Sequence, residues 1–324
     1  MKNKVNAQMG YLELSLAQIF LAIHIVLAKM LASTYSILSL LMIKFLTGSI
    51  ILIIYIALTR LAELRQQLKK LNPKEWTLLC LQSLCGGGLF NILNLYGLKY
   101  TTAIATSIIN STLPAFVAFF SFLILKENLT KAKIAAISLS VIGILLLNFK
   151  TSNLSIDFTE ARGIFFAFLA IIPAAFFIIL AKMTEKLLDP FSLAALINVL
   201  NVVFFLPLTS RNDWHVFFAA PIKVWLEIIF YGISGSVLFF VFWYRGLRYT
   251  AINTAALFIG IMPIFASVLA YTFLSENFSR FDAIGMFCVI LAIFIGTSHS
   301  SRPFLSTKNP IPTKSQNAPA KRGA

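Results

Sequence analysis

Ten apolar runs alternate with short polar gaps along this chain, at roughly 11–30, 34–58, 75–97, 101–125, 131–149, 161–183, 190–209, 223–244, 250–274 and 281–298. A helix rising ~1.5 Å per residue crosses a hydrocarbon core ~30 Å thick in ~20 residues, which is the length of these runs. Backbone amides find no water in hydrocarbon, so each run has to close its hydrogen bonds within itself as α-helix. The pattern predicts an all-α integral membrane protein of ten transmembrane helices, with the lipid bilayer as its solvent. The first run follows Lys2 and Lys4 in the manner of a signal peptide, but its length and its kinship with 161–183 mark a retained helix. Beyond Ser298 the pattern stops. Pro303, Pro310, Pro312 and Pro319 stand among Ser, Thr and Lys, and 299–324 is expected to be a disordered cytoplasmic tail.

The runs occur twice. Gly97 to Lys131 returns as Gly246 to Arg280, displaced by 149 residues without a gap, pairing Tyr100 with Tyr249, Pro114 with Pro263 and Glu127 with Glu276. Upstream, Leu27-Ala28-Lys29-Met30 returns as Leu180-Ala181-Lys182-Met183, displaced by 153, so a small indel separates the two matches. The chain therefore divides into a first five-helix repeat, 1–150, and a second, 151–298. An odd number of crossings per repeat turns the second copy upside down relative to the first. Inverted repeats of this kind build secondary transporters, which open alternately to either side around a midplane site. A duplication that only enlarged a structural bundle is the plainer alternative.

Composition agrees with the pattern: 59% of residues are apolar, 12% are charged and the mean hydropathy is +0.86. The surplus of 15 positive charges could suggest nucleic acid, but here it reflects topology, and no nucleic-acid partner is expected. Most Lys and Arg, including the cluster from Arg60 to Lys74, fall on the side that ten spans assign to both termini, which makes that side cytoplasmic. The expected location is the inner, plasma membrane. Cys80, Cys85 and Cys288 lie within apolar runs and imply neither disulfides nor a metal site, and no cofactor is expected.

The Gly-Leu-x-Tyr-Thr turn, the mid-helix Pro and Leu-x-Glu-Asn before the next span each occur twice at equal spacing. In these motifs, over 11–298, the chain resembles the EamA type of the drug/metabolite transporter superfamily. Lys29 and Lys44 also resemble basic positions of that family, although Arg is more usual at the second. The resemblance implies ten helices, alternating access, and a cavity lined mainly by spans one, three, four, six, eight and nine. It also implies a metabolite or amino-acid exporter, with no particular solute.

Polar side chains within spans are expected to face the bundle interior or a wet cavity. Asn91 and Asn94 share a face of span three and are candidate substrate contacts, with interhelical glue as the alternative. Their repeat equivalents are Phe240 and Trp243, so an amphipathic solute could meet amides on one side and aromatic faces on the other. Trp76, Trp225 and Tyr244 read as interfacial belt residues. In span four, Thr106 and Asn110 continue a stripe begun by Thr102. Pro114 extends that stripe and is expected to free the carbonyl of Asn110, as Pro263 frees that of Ile259, unless both prolines only kink their helices. Lys44 is the deepest permanent charge. It either binds a carboxylate or phosphate of the solute or pairs within the protein to hold the lobes together. His24 is a solute contact or a packing residue, and Asn198, Asn201 and Asn253 are further cavity candidates. Gly86-Gly87-Gly88 allow close helix contact. Glu127 and Glu276, at the ends of spans four and nine on opposite faces, read as hinges or gate anchors.

These features predict a secondary transporter, not an enzyme, that moves a small organic metabolite by alternating access, with export the expected direction. The solute is an amino acid or a similar amphipathic compound. A carrier of phosphorylated or nucleotide-linked solutes would need several interior bases, where the deep one is Lys44. An integral membrane enzyme would need clustered Asp, His or Cys. Monomer and homodimer both remain open.

Overall fold

In a computed structural model, the described residues are 2–110, 112–113, 115–117, 119–120, 131, 134–135, 138–139, 158–209, 218–250, 255, 258–276 and 278–298. Among them there is no strand. The helices are α1 (Lys2–Ala32), α2 (Ile37–Thr59), α3 (Leu61–Lys70), α4 (Pro73–Tyr100), α5 (Ala103–Asn110), α6 (Phe158–Thr184), α7 (Pro190–Phe205), α8 (Ile222–Tyr249), α9 (Ile261–Leu274) and α10 (Arg280–Ser298). Six described helices are long and apolar enough to cross a membrane, and they fall on spans one, two, three, six, seven and eight. Spans four and nine carry the shorter α5 and α9, and α10 follows span ten. Nearly all of span five lies outside the described residues, as do Pro114, Glu127, Asn253 and the tail.

Local chemistry sets several boundaries. Ser36 caps α2 by accepting from the Ser39 amide. Asn72 and Glu75 form a capping box at the start of α4, with Pro73 in the first turn where no amide hydrogen is needed. Asp189 caps α7 in the same way ahead of Pro190. The α3 helix falls in a gap read from the sequence as loop. Its Leu64 and Leu68 pack on the core, while Arg65, Lys69 and Lys70 stay exposed.

Two helices contain a π-helical turn, Ser83–Leu89 in α4 and Ile233–Leu238 in α8, at equivalent places in the two copies. Such turns insert a residue and leave carbonyls without their usual amide partners. In α4 the Asn91 amide supplies the missing donors, bonding Gly86 O at 2.7 Å and Gly87 O at 2.8 Å.

The two copies also make the same contacts with partners exchanged. A Cβ on Gly86 would fall 2.2 Å from the Phe177 ring, and one on Gly235 would fall 2.3 Å from the His24 ring. Phe177 follows His24 by 153 residues and Gly235 follows Gly86 by 149, so the two contacts are one contact made twice. Likewise the Lys29 ammonium bonds the carbonyls of Leu98 and Thr101, and the Lys182 ammonium bonds those of Leu247 and Thr250. Hence α1 packs along the second half of α8 as α6 packs along the second half of α4, while α2 and α7 pack against each other. The glycines at these crossings are places where a side chain would collide with the neighbouring helix.

Candidate functional site

At the meeting of the two copies lies a cavity of about 70 Å³, below the ~300–1,000 Å³ of small-molecule sites, so its walls have to part to admit a solute. Its walls come from α1, α4, α5, α6, α8 and residues 259–262, which are spans one, three, four, six, eight and nine, with one residue, Lys44, from α2. The surface is apolar, dominated by Phe90, Phe177, Phe239 and Phe240, with a few polar groups among them. Those groups are Gln18, Lys44, Asn91, Asn110 and Trp243.

Lys44 is only 3% exposed, yet no carboxylate pairs with it among the described residues. Its ammonium donates to Asn91 Oδ1 at 2.6 Å and lies 3.3 Å from His24 Nε2. His24 Nδ1 lies 3.2 Å from the carbonyl oxygen of Tyr231. A carbonyl can only accept, so Nδ1 carries the hydrogen and Nε2 offers its lone pair to the ammonium. The Tyr231 ring stacks on the imidazole with centroids 4.5 Å apart and fixes its plane.

Three further buried polar atoms of the cavity residues have no partner among the described residues: the acceptors Gln18 Oε1 and Asn110 Oδ1, and the donor Trp243 Nε1. Unpaired polar atoms at such depth are costly, so a group that completes them gains affinity. Gln18 is the wall residue that the sequence reading did not single out. A lone amide in the middle of an apolar span was the available signal.

Of the residues singled out, Lys44, Asn91, Asn110 and Trp243 meet at the cavity, and His24 stands behind Lys44. Asn94 does not line the wall; its Oδ1 accepts from Asn110 Nδ2 at 2.9 Å and joins α4 to α5. Thr106 is fully buried and donates to the carbonyl of Thr102 at 2.9 Å, the local bond that Ser and Thr commonly make in helices. Asn198 and Asn201 lie against Gly48 and Gly87, away from the cavity wall. Tyr244 is no belt residue: it is 1% exposed and its hydroxyl accepts from Gln82 Nε2 at 2.8 Å. The Ile259 carbonyl is not free, because it accepts from the Met262 amide at 3.1 Å. The helix restarts at Ile261, placing Pro263 in its first turn, where proline displaces no hydrogen bond.

Glu276 bonds across to a second element. Its carboxylate accepts from the amides of Ala103 at 2.9 Å and Ile104 at 3.2 Å, at the start of α5. Lys29 holds the carbonyls ending α4 just before, so a cation sits at one helix C-terminus and an anion at the next N-terminus, each matching the dipole it meets. Ser275 takes the left-handed conformation, φ 52°, that ends α9 and turns Glu276 towards α5. At the opposite end of α1, Arg245 pairs with Glu13 at 2.6 Å.

The EamA-like transporter family model matches the chain twice, over residues 8–149 and 161–297. An uncharacterized transporter of Bacillus subtilis (strain 168), YetK, is 26% identical over 302 residues, 92% of this chain and 90% of its own length. An uncharacterized transporter of Archaeoglobus fulgidus is 27% identical over 241 residues, covering 72% of this chain and 80% of its own. A solved crystal structure superposes with a TM-score of 0.61 at 15% identity, over 91% of this chain and 97% of its own, a likeness of fold.

Proposed function

Because the chain belongs to the EamA-like transporter family, and is thus a multi-pass membrane transporter, we propose that it is a secondary transporter exporting a small organic metabolite by alternating access. The observation that carries this reading is the cavity itself. An apolar chamber with unpaired acceptors on Gln18 and Asn110 and an unpaired donor on Trp243 suits a solute with an apolar body and both donor and acceptor groups. An amino acid or a similar amphipathic metabolite has that chemistry.

The exchanged contacts between copies are what a two-fold relation between inverted repeats produces, and they support rocking of one copy against the other around the cavity. In this reading both termini are cytoplasmic and the Glu276 end faces outwards. The alternative, a phosphorylated or nucleotide-linked solute, is less well matched, since Lys44 is the one basic residue on the described cavity wall.

The test is uptake and counterflow in reconstituted vesicles across amino acids, polyamines, nucleosides and sugar phosphates, with and without a pH gradient. Trp243→Ala and Gln18→Ala are expected to lower flux of the accepted solute about tenfold or more, as loss of one buried hydrogen bond and its packing predicts. Inserted, folded variants with unchanged kinetics would remove this site from the mechanism.

A further inference from the structure

Lys44 reaches both π-helical turns of the molecule. Through Asn91 Oδ1 it holds the amide that bonds the Gly86 and Gly87 carbonyls of the turn in α4. Through His24 Nε2 it holds the imidazole that bonds Tyr231 O, just before the turn in α8, and lies against Gly235 within it. The two turns belong to different copies and are also joined through α7, where the Ile197 carbonyl accepts from Ser83 and Asn198 Nδ2 donates to the Ser236 carbonyl. An ammonium has three hydrogens, and the bonds of Lys44 to Asn91 and His24 leave one without an acceptor among the described residues, on a residue that lines the cavity.

A buried ammonium with neutral partners lacks the anion that would balance it. The His24 imidazole cannot serve, because its Nδ1 hydrogen is committed to Tyr231 O and it offers only a lone pair. Resting on the carrier reading above, we propose that Lys44 is the anion subsite of this cavity. It takes a carboxylate of the solute, and taking it loosens the ammonium from Asn91 and His24 and so releases its hold on both π-helical turns. The rest of the wall is apolar, which matches a phenyl or alkyl body behind that carboxylate. A bond with both partners ionised is stronger than the bonds of the same ammonium to the neutral acceptors Asn91 and His24, which gives the exchange its direction. The π-helical turns, held by side chains rather than by their own ladder, are the places where α4 and α8 bend once that support is withdrawn.

The full-length protein in lipid nanodiscs tests this with three probes of one skeleton: 3-phenylpropionate, 3-phenylpropylamine and 3-phenylpropanol. Amide hydrogen exchange is followed across residues 83–89 and 233–238. The carboxylate is expected to speed exchange in both segments about tenfold, the scale of one lost charged hydrogen bond, while the amine and the alcohol leave it unchanged. Lys44→Met is expected to exchange fast without any probe and to gain nothing from the carboxylate. Should that variant fail to fold, Asn91→Asp serves instead: it supplies the missing carboxylate internally and lacks the Nδ2 donor, so it should exchange fast across 83–89 without any probe and gain nothing from the carboxylate in either segment. An equal response to the amine or alcohol, a response in one segment alone, one that survives in the variants, or none at all overturns the proposal. No flux enters the readout. Failure of transport with this response intact counts against the carrier reading, and transport without the response counts against the subsite.

Discussion

Removing the Glu276 carboxylate should open the end of the bundle that it closes. In Glu276→Ala the amides of Ala103 and Ile104 lose their acceptors, and α9 loses its hold on the start of α5. Hydrogen bonds to a charged group contribute ~1.5–3 kcal/mol each when well buried, and substituting a helix cap costs ~0.5–2 kcal/mol. Glu276 is half-buried and water competes for the same amides, so about 2 kcal/mol is the reasonable figure for the pair together. At ~1.4 kcal/mol per factor of ten, the population open at that end should rise about 30-fold. The assay is labelling of a cysteine at Leu21, on the cavity wall, after Cys80, Cys85 and Cys288 have been replaced. A membrane-impermeant maleimide added outside should react about 30-fold faster in Glu276→Ala than in the parent, since the proposed orientation puts this end outside. Glu276→Gln keeps one accepting oxygen and should give a smaller rise. Rates within about twofold of the parent in Glu276→Ala would show that the carboxylate caps a helix without closing anything.

Other consequences can be checked on the detergent-solubilised protein. Gly86→Ala forces a Cβ to 2.2 Å from the Phe177 ring, and this overpacking should cost ~1–3 kcal/mol and lower the unfolding temperature, whereas an unchanged temperature would mean the helices part freely there. Ser275→Gly removes a left-handed non-glycine residue and should raise stability by about 0.5–1 kcal/mol; a loss would imply that the Ser275 side chain has a role of its own. Tyr244→Phe leaves Gln82 Nε2 without its acceptor and should cost ~1–3 kcal/mol, measured against Tyr249→Phe at an exposed site. For Glu13 and Arg245, the latter with a side chain 38% exposed, a double-mutant cycle should return a coupling of about 1 kcal/mol or less, screened by salt.

Much of this was legible in the sequence because it depends on local physics. Apolar run length fixes where helices can form in lipid, and the offsets of 149 and 153 pair Gly86 with Gly235 and His24 with Phe177, while the contacts of Gly86 with Phe177 and of Gly235 with His24 came from the structure. The depth of Lys44 followed from helix rise alone. The direction in which a polar side chain turns did not. Asn91 and Asn94 share one helix face, yet one reaches the cavity and the other is used up by Asn110, because that depends on where α5 lies against α4. Tyr244 stands at the end of an apolar run, as a belt residue would, and only the placement of Gln82 on another helix makes it a core residue. The π-helical turns carry no distinct local code either, since one inserted residue in a turn is stabilised by what bonds the freed carbonyls. Sequence thus determined the kind and duplication of the elements, the kind being set by each segment's own contact with lipid. Tertiary structure alone decided which polar groups satisfy each other and which remain open to a solute, because a hydrogen bond between helices exists only once their separation and rotation are set.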